Sequence, residues 1–270
     1  MVKECLILLR ERREAMQTNE TPLVSVVMPA YNSEAYIQSA IRSLQNQTVE
    51  DWELLVIEDG SKDTTPEVVA KLAQADGRIR LLPNEKNMGT ARSRNRGMDL
   101  CRGRYIAFLD SDDCWHSTKL EKQIALAQST GADILYTSYA IVDDSGEKRC
   151  PDFVVPERTD LKRMLRCSEI GCSTVMLAGQ LAKEARFAEN FYHEDYAMWL
   201  TLLQKGATAA GVSEVLVDYR YHADSRAADK FSSAKRRWRI YRDLLKLSLL
   251  KSGWYSMLYA VSGLLKYRKK

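Results

Sequence analysis

The chain has 270 residues, 45% of them hydrophobic and 28% charged, which fits one large α/β domain with room for an appendage and argues against a fibrous or disordered class. Its six cysteines (5, 101, 114, 150, 167 and 172) form no CxxC pair and histidine occurs only at 116, 193 and 222, so neither a zinc site nor a disulfide framework is expected, and reduced thiols in a cytosolic compartment are the default. The net charge of +4 conceals an asymmetry: residues 226–270 carry 13 Lys and Arg against 2 acidic residues, which leaves −7 on the preceding 225, and an acidic body with a basic tail points to an anionic surface as the tail's partner.

Residues 1–22 read as an N-terminal extension. Arg10, Arg12 and Arg13 follow a short apolar run, the wrong order for a secretory signal. Val24–Met28 is a strand ended by Pro29. Asn32 or Ser33 then caps a helix with Tyr36, Ile37, Ala40, Ile41 and Leu44 on one stripe. Glu53–Ile57 is a second strand, followed by Glu58-Asp59-Gly60-Ser61. Pro66 opens a helix with Val68, Val69 and Leu72 inward. Ile79–Leu82 is a short third strand, and a basic helix from about Thr90 carries Arg92, Arg94 and Arg96. This alternation predicts a parallel sheet with right-handed crossovers, and residues 23–113 form a nucleotide-binding type of half-domain.

Tyr105–Leu109 is apolar throughout and predicts a strand buried on both faces. It runs into Asp110, Asp112 and Asp113. Unpaired carboxylates are too costly to bury, so they belong at the strand's carboxyl end, where open α/β sheets keep their ligand crevice. Such a cluster suits a hard divalent cation, Mn²⁺ or Mg²⁺; the plain alternative is an acidic turn before the next helix. Residues 114–225 form the second half of the domain. They contain a helix from Thr118 with a capping-box pattern to Glu121, a strand over Ile134–Val142, a turn at 143–146, a short strand over Ser173–Met176, a helix after Glu194-Asp195, and a strand from Val215 to Tyr221. Residues 147–177 are otherwise hard to read. From Arg226 a long basic helical tail is expected.

Five motifs occur in order: Val26-Val27-Met28-Pro29-Ala30-Tyr31-Asn32, Glu58-Asp59-Gly60-Ser61-Lys62-Asp63, Asn87-Met88-Gly89 leading to Arg94-Asn95, Phe108-Leu109-Asp110-Ser111-Asp112-Asp113, and Glu194-Asp195. Together they resemble the family 2 inverting glycosyltransferases of the GT-A fold, over about residues 23–222. The resemblance implies a mostly parallel central sheet flanked by helices, with the tail as a helical extension. It implies that Pro29, Ala30 and Tyr31 line a nucleobase pocket and that Asp59 accepts a hydrogen bond from the base. Asp59 is also a plain turn-former before Gly60. Glu58 stands where many relatives have a second Asp. Arg94 holds the donor directly, or does so indirectly by pairing with an acidic residue of the pocket. Asp110, Asp112 and Asp113 form the DxD-type site for a nucleotide-sugar, with Asp112 the principal metal ligand, Asp110 near ribose or a metal-bound water, and Asp113 a second ligand or sugar contact. His222, in a segment that closes over the diphosphate, is a further metal-ligand candidate, with Ser225 and Arg226 as phosphate contacts.

Inversion requires a base that deprotonates the acceptor hydroxyl. Asp195 is the candidate, with Glu194 in support, since adjacent residues at a helix start point in different directions. The expected activity is sugar transfer from a UDP-sugar to a hydroxyl of a saccharide or lipid-linked acceptor in surface polysaccharide biosynthesis. The rivals are a nucleotidyltransferase, which should carry a Gly-rich loop where Pro29-Ala30-Tyr31-Asn32 stands, and a non-catalytic nucleotide-sugar-binding subunit of the same fold, which should have lost a carboxylate or the base. The tail carries no charge from Ser252 to Leu265, but 14 residues rise only about 21 Å as a helix, short of a bilayer's ~30 Å core. Basic flanks around an aromatic-rich apolar run suggest a helix lying on the inner face of an anionic membrane, rather than nucleic-acid binding. The alternative is that the tail packs on the catalytic domain or on a second copy in a homodimer.

Overall fold

The computed structural model describes residues 21–221 and 230–268. These form a single sheet of nine strands in the order β3-β2-β1-β4-β8-β6-β9-β5, with β7 (Arg158–Thr159) beside β9. The strands are β1 (Val24–Ala30), β2 (Trp52–Glu58), β3 (Ile79–Pro83), β4 (Tyr105–Phe108), β5 (Cys114–Trp115), β6 (Ile134–Val142), β8 (Met176–Ala178) and β9 (Ala209–Arg220). β3, β2, β1 and β4 pair in parallel, as do β6 and β9. The short β8 runs antiparallel to both β4 and β6, so the six longer strands all point one way. Their carboxyl ends, at Ala30, Glu58, Pro83, Phe108, Val142 and Arg220, therefore share one edge.

β1, β2 and β4 are buried on both faces, which explains why their runs are apolar apart from Ser25, Glu53 and the terminal Glu58. One face carries Val26, Leu54, Ala107 and Leu135 and is covered by α1 (Ile37–Gln45), α2 (Thr65–Ala75) and α4 (Lys119–Thr130). The other carries Val27, Ile106, Phe108 and Tyr136 and is covered by α3 (Thr90–Leu100), α5 (Leu161–Arg166), α6 (Gly179–Glu184) and α7 (Glu194–Gln204). Both core clusters run from β1 to β6, so the halves proposed as 23–113 and 114–225 share one sheet. Gly97 lets α3 sit directly on β1, because a Cβ there would lie 2.4 Å from Val27 Cγ1. Trp199 and Trp115 are both core; Trp199 packs against Phe108 and Phe187.

The structure departs from the sequence reading in several places. α1 starts at Ile37, and neither Asn32 nor Ser33 caps it. Asn32 adopts a left-handed φ of 48°, and its side chain accepts from Lys62 N, while Ser33 N donates to Thr65 Oγ1. Those polar groups thus tie the loop after β1 to the loop after β2. The capping box at Thr118 does not form: Glu121 accepts instead from Thr48 Oγ1. Residues 172–174 form a 3₁₀ turn, and the strand follows at 176–178. β9 begins six residues before the expected Val215, with a bulge against β6 near Ser138.

The tail is broken. α8 (Lys230–Arg239) leads into a π turn over Ile240–Leu244, and α9 spans Leu249–Arg268. Ile240, Tyr241 and Leu245 belong to the body's core, and Tyr241 donates to Leu165 O at 2.9 Å. Residues 1–20, together with His222, Ser225 and Arg226, lie outside the described residues.

Candidate active site

A cavity of about 330 Å³ opens at the strands' carboxyl edge. Its walls include Arg94, Asp110, Cys172, Ser173, Tyr192, His193, Glu194, Asp195 and Tyr219. Asp110 leaves β4 at its carboxyl end, and Glu194 and Asp195 open α7. The fold thus brings together carboxylates 84 or more residues apart in the chain.

Arg94 organises this group. It is 4% exposed, and its guanidinium forks between Asp110 Oδ1 at 2.5 Å and Glu194 Oε1 at 2.9 Å. A planar fork with a permanent charge suits two carboxylates at once. Although burial disfavours its charge, the neighbouring acids win, and the Arg94 pKa lies well above its ordinary value. The guanidinium also sits 5.1 Å from the Phe187 ring. Asn95 fixes that ring's backbone through two bonds, donating to Phe187 O and accepting from Phe187 N. Arg94 therefore touches acidic residues of the cavity. Arg92 pairs with Glu189 at 2.6 Å, and Arg96 donates to Pro83 O and Asn84 Oδ1.

The adjacent carboxylates of α7 differ sharply. Glu194 is buried and held by Arg94. Asp195 is partly exposed into the cavity, and one oxygen accepts from Tyr196 N at 2.7 Å. Burial raises the Asp195 pKa above the usual carboxylate range, and Asp110 adds to this, while Arg94 opposes it. His193 beside them is pushed down to about 4 by burial and by Arg237, so it is neutral near pH 7.

The acidic triplet divides. Asp110 keeps 26% of its side chain exposed. Asp112 is half-buried, and its carbonyl accepts from Arg220 Nε at 3.0 Å. Asp113, offered by the sequence as a metal ligand or sugar contact, is 1% exposed. Ser173 donates to one of its oxygens at 2.5 Å and Arg220 N to the other at 2.9 Å. Burial first, then Asp112 and Asp110, push its pKa well up. This carboxyl group locks β9 and the 172–174 turn to the end of β4, and its oxygens are already engaged there. Ser173 Oγ also accepts from Asp110 N at 3.1 Å, and Trp115 Nε1 donates to Ser173 O at 2.8 Å. Gln123 holds Thr174 O at 2.9 Å from behind. The floor under Asp110 is thus fixed by buried polar bonds.

At the ends of β1 and β2, Tyr31 is 44% exposed, Pro29 is half-buried and Ala30 is buried. Asp59 is 3% exposed. It accepts from Asn84 Nδ2 at 2.6 Å, Met88 N at 2.8 Å and Gly89 N at 2.8 Å. Gly89 itself takes a φ of 86°, the left-handed region that glycine favours, as the chain turns into α3. Asp59 therefore secures the 84–89 loop, beyond the local turn that its place before Gly60 suggested. Glu58 accepts from Ser61 N at 2.5 Å.

Among the described residues, no group of three or more His, Cys, Asp and Glu converges as a metal cage. Asp110, which lines the cavity, and the half-buried Asp112 two residues on remain as hard oxygen donors with part of their surface open. That fits an ion that takes one or two carboxylates and completes its shell with water and phosphate.

Sequence reasoning missed Ser173, His193, Tyr139, whose side chain also lines the cavity, and the staple role of Arg220. His193 adjoins Glu194-Asp195, which was an available signal. Ser173 and Tyr139 are contributed by segments with no chemical signature of their own.

This chain belongs to Glycosyl transferase family 2, whose pattern matches residues 25–179, and it is a glycosyltransferase. It is 34% identical over 249 residues to TuaG of Bacillus subtilis (strain 168), a glycosyltransferase assigned to teichuronic acid biosynthesis, covering 92% of this chain and 99% of that protein. It is 36% identical over 247 residues to WfgD of Escherichia coli, a UDP-Glc:α-D-GlcNAc-diphosphoundecaprenol β-1,3-glucosyltransferase, covering 91% and 95%. The fold matches that of the mannosyltransferase PcManGT of Pyrobaculum calidifontis, solved with GDP-Man and Mn²⁺, with a TM-score of 0.64 at 15% identity over 97% of this chain and 83% of that one.

Proposed function

We propose that this glycosyltransferase moves a sugar from a nucleoside diphosphate, UDP first, to a hydroxyl of a saccharide carried on a lipid diphosphate, inverting the anomeric centre, in the building of surface polysaccharide. The observation that carries this reading is the unequal pair on α7: Glu194 is bound to Arg94, while Asp195, its pKa raised, stands in the cavity that Asp110 also lines. WfgD supplies the donor and acceptor classes by its name, and TuaG the biosynthetic setting. An α-linked donor would give a β-linkage.

In this reading Pro29, Ala30 and Tyr31 flank the base, with the exposed Tyr31 ring as its stacking surface. Asp59 holds the adjacent loop and keeps acceptor capacity for a base N–H, since three of about four lone-pair positions are used. Asp195 takes the proton of the acceptor hydroxyl as that oxygen forms its bond to the anomeric carbon and the bond to the diphosphate breaks. Arg94 fixes Asp110 and Glu194 around it. Asp112, with Asp110 beside it, would hold Mn²⁺ or Mg²⁺, which when bound neutralises charge developing on the leaving diphosphate. Hydrolysis and thermal stabilisation should be measured with UDP-, GDP- and dTDP-sugars plus Mn²⁺, for wild type and Asp112→Ala. A UDP-sugar should be turned over by wild type and not by Asp112→Ala; near-normal turnover of that variant in EDTA would overturn the metal assignment.

We also propose that α9 rests on an anionic membrane at the inner face of the cell membrane. No helix among the described residues is long and apolar enough to cross one. Leu250, Trp254, Met257 and Val261 are all exposed and fall within about 60° of arc at 100° per residue. Ser252, Tyr255 and Tyr259 face the body. Exposed Lys235, Lys246 and Lys251 flank the stripe, and Lys266, Arg268, Lys269 and Lys270 follow in the sequence. A truncation at Ser225 would remove Ile240 and Tyr241 from the core, so point variants are the better probe. Leu250→Gln/Trp254→Gln/Met257→Gln should lose co-sedimentation with anionic vesicles while keeping UDP affinity. Wild type that fails to pellet at low salt would rule the anchor out.

A further inference from the structure

A second hollow, of about 320 Å³, lies beside the active cavity. It is lined by Glu189, Asn190, Phe191, Tyr192, Arg236 and Arg239. Tyr192 also lines the active cavity, so the two spaces share it as a wall. The Arg236 guanidinium carbon lies over that ring, 3.4 Å from its centroid. Arg239 sits 5.8 Å from the Phe191 ring and 3.4 Å from Asp243, a pair in which both side chains are more than half exposed and therefore weakly coupled. The charge of Glu189 is met by Arg92 at 2.6 Å. The hollow therefore presents two arginine forks with spare donors.

Between them in sequence, Arg237 points the other way. It is 5% exposed, with Tyr196 and Tyr259 rings at 4.0 and 3.6 Å, and its Nε and Nη1 find no partner. A buried cation with no carboxylate partner among the described residues adds positive potential beside the hollow, and after burial it is the second cause of the lowered pKa of His193. α8, which carries all three arginines, touches α9, whose apolar stripe is exposed. The base's cavity thus shares a wall with the arginine hollow, and the helix that carries the arginines touches the helix that carries the apolar stripe. A lipid-linked saccharide has the matching order of sugar hydroxyl, diphosphate, lipid.

We propose that Arg236 and Arg239 form the binding site for the diphosphate of the lipid-linked acceptor. Planar guanidinium forks match phosphate oxygens in pairs, and the stack on Tyr192 holds one fork in orientation next to the cavity. This rests on the reading above that the acceptor is lipid-linked. It assigns a second anion site, separate from the donor diphosphate at Asp110 and Asp112.

The test uses the full chain and three probes: decyl diphosphate, decyl monophosphate and decanol, each below its micelle concentration. Decyl diphosphate should bind most tightly, and saturating UDP should leave its affinity unchanged. Arg236→Gln/Arg239→Gln should weaken it by about tenfold or more, with UDP affinity unchanged, which also shows that the variant is folded. Arg236→Lys/Arg239→Lys, which keeps charge and loses the forks, should fall between. An unaltered affinity in the Gln variant would overturn the site. So would displacement of decyl diphosphate by UDP, which would place the probe in the donor site. A Gln variant that loses anionic-vesicle binding but keeps decyl diphosphate would likewise overturn it, assigning these arginines to lipid headgroups. Failure of wild type to bind UDP or any nucleotide-sugar strikes at the catalytic reading instead and leaves the probe comparison intact.

Discussion

Asp195→Asn should lower turnover by roughly 10²–10⁴-fold while UDP affinity changes little, because the substitution keeps shape and removes basicity. The burial and the Asp110 charge that raise the Asp195 pKa make its carboxylate a stronger base than a solvated aspartate. The base must be ionised to act. Activity in wild type should therefore fall as pH drops through that raised pKa, and this acid limb should vanish in the variant. Stability should move the opposite way. A carboxyl group whose folded pKa lies above its unfolded one contributes stability that is present below the unfolded pKa and lost as pH rises through the folded one. At neutral pH the Asn variant should thus melt no lower than wild type. A pH–rate series and a melting curve check both statements. Substantial turnover in Asp195→Asn together with its loss in Glu194→Gln would transfer the role to Glu194.

Arg94→Met should have the largest effect on the fold of any single change at the site. It leaves the Asp110 and Glu194 carboxylates without their shared cation, and Glu194 is buried. Breaking a buried pair by removing one partner costs about 3–5 kcal/mol. For a chain of this size that corresponds to a fall in Tm on the order of 10 °C. Activity should fall with it, since the same fork holds the walls on either side of Asp195. Arg94→Lys keeps the charge but cannot bridge two carboxylates in one plane, and it should lie between the two. Melting of Arg94→Met within about 2 °C of wild type would remove the keystone role.

Local sequence determined the elements whose signal is local. The buried runs of β1, β2 and β4 lie where mostly β-branched and apolar residues placed them, and Asp110 follows β4 because unpaired charge is expelled from a two-sided sheet. Asp195 was legible as the candidate base from its motif, whereas its place at a helix start by itself suggests an ordinary cap. Tertiary structure alone decided which of two adjacent acids is open, because that depends on Arg94 reaching Glu194 across 100 residues of chain. It alone turned Asp113 inward, since the partners of that carboxylate, Ser173 and Arg220, come from segments 60 and 107 residues away with no signature of their own. The same holds for the tail. Periodicity gives a helix its apolar stripe, but only packing against α5 and the core separates the buried Ser252 and half-buried Tyr255 from the exposed Leu250, Trp254 and Met257. A helix's own sequence sets the angles between its side chains, whereas the neighbour that covers one face is set by the rest of the chain.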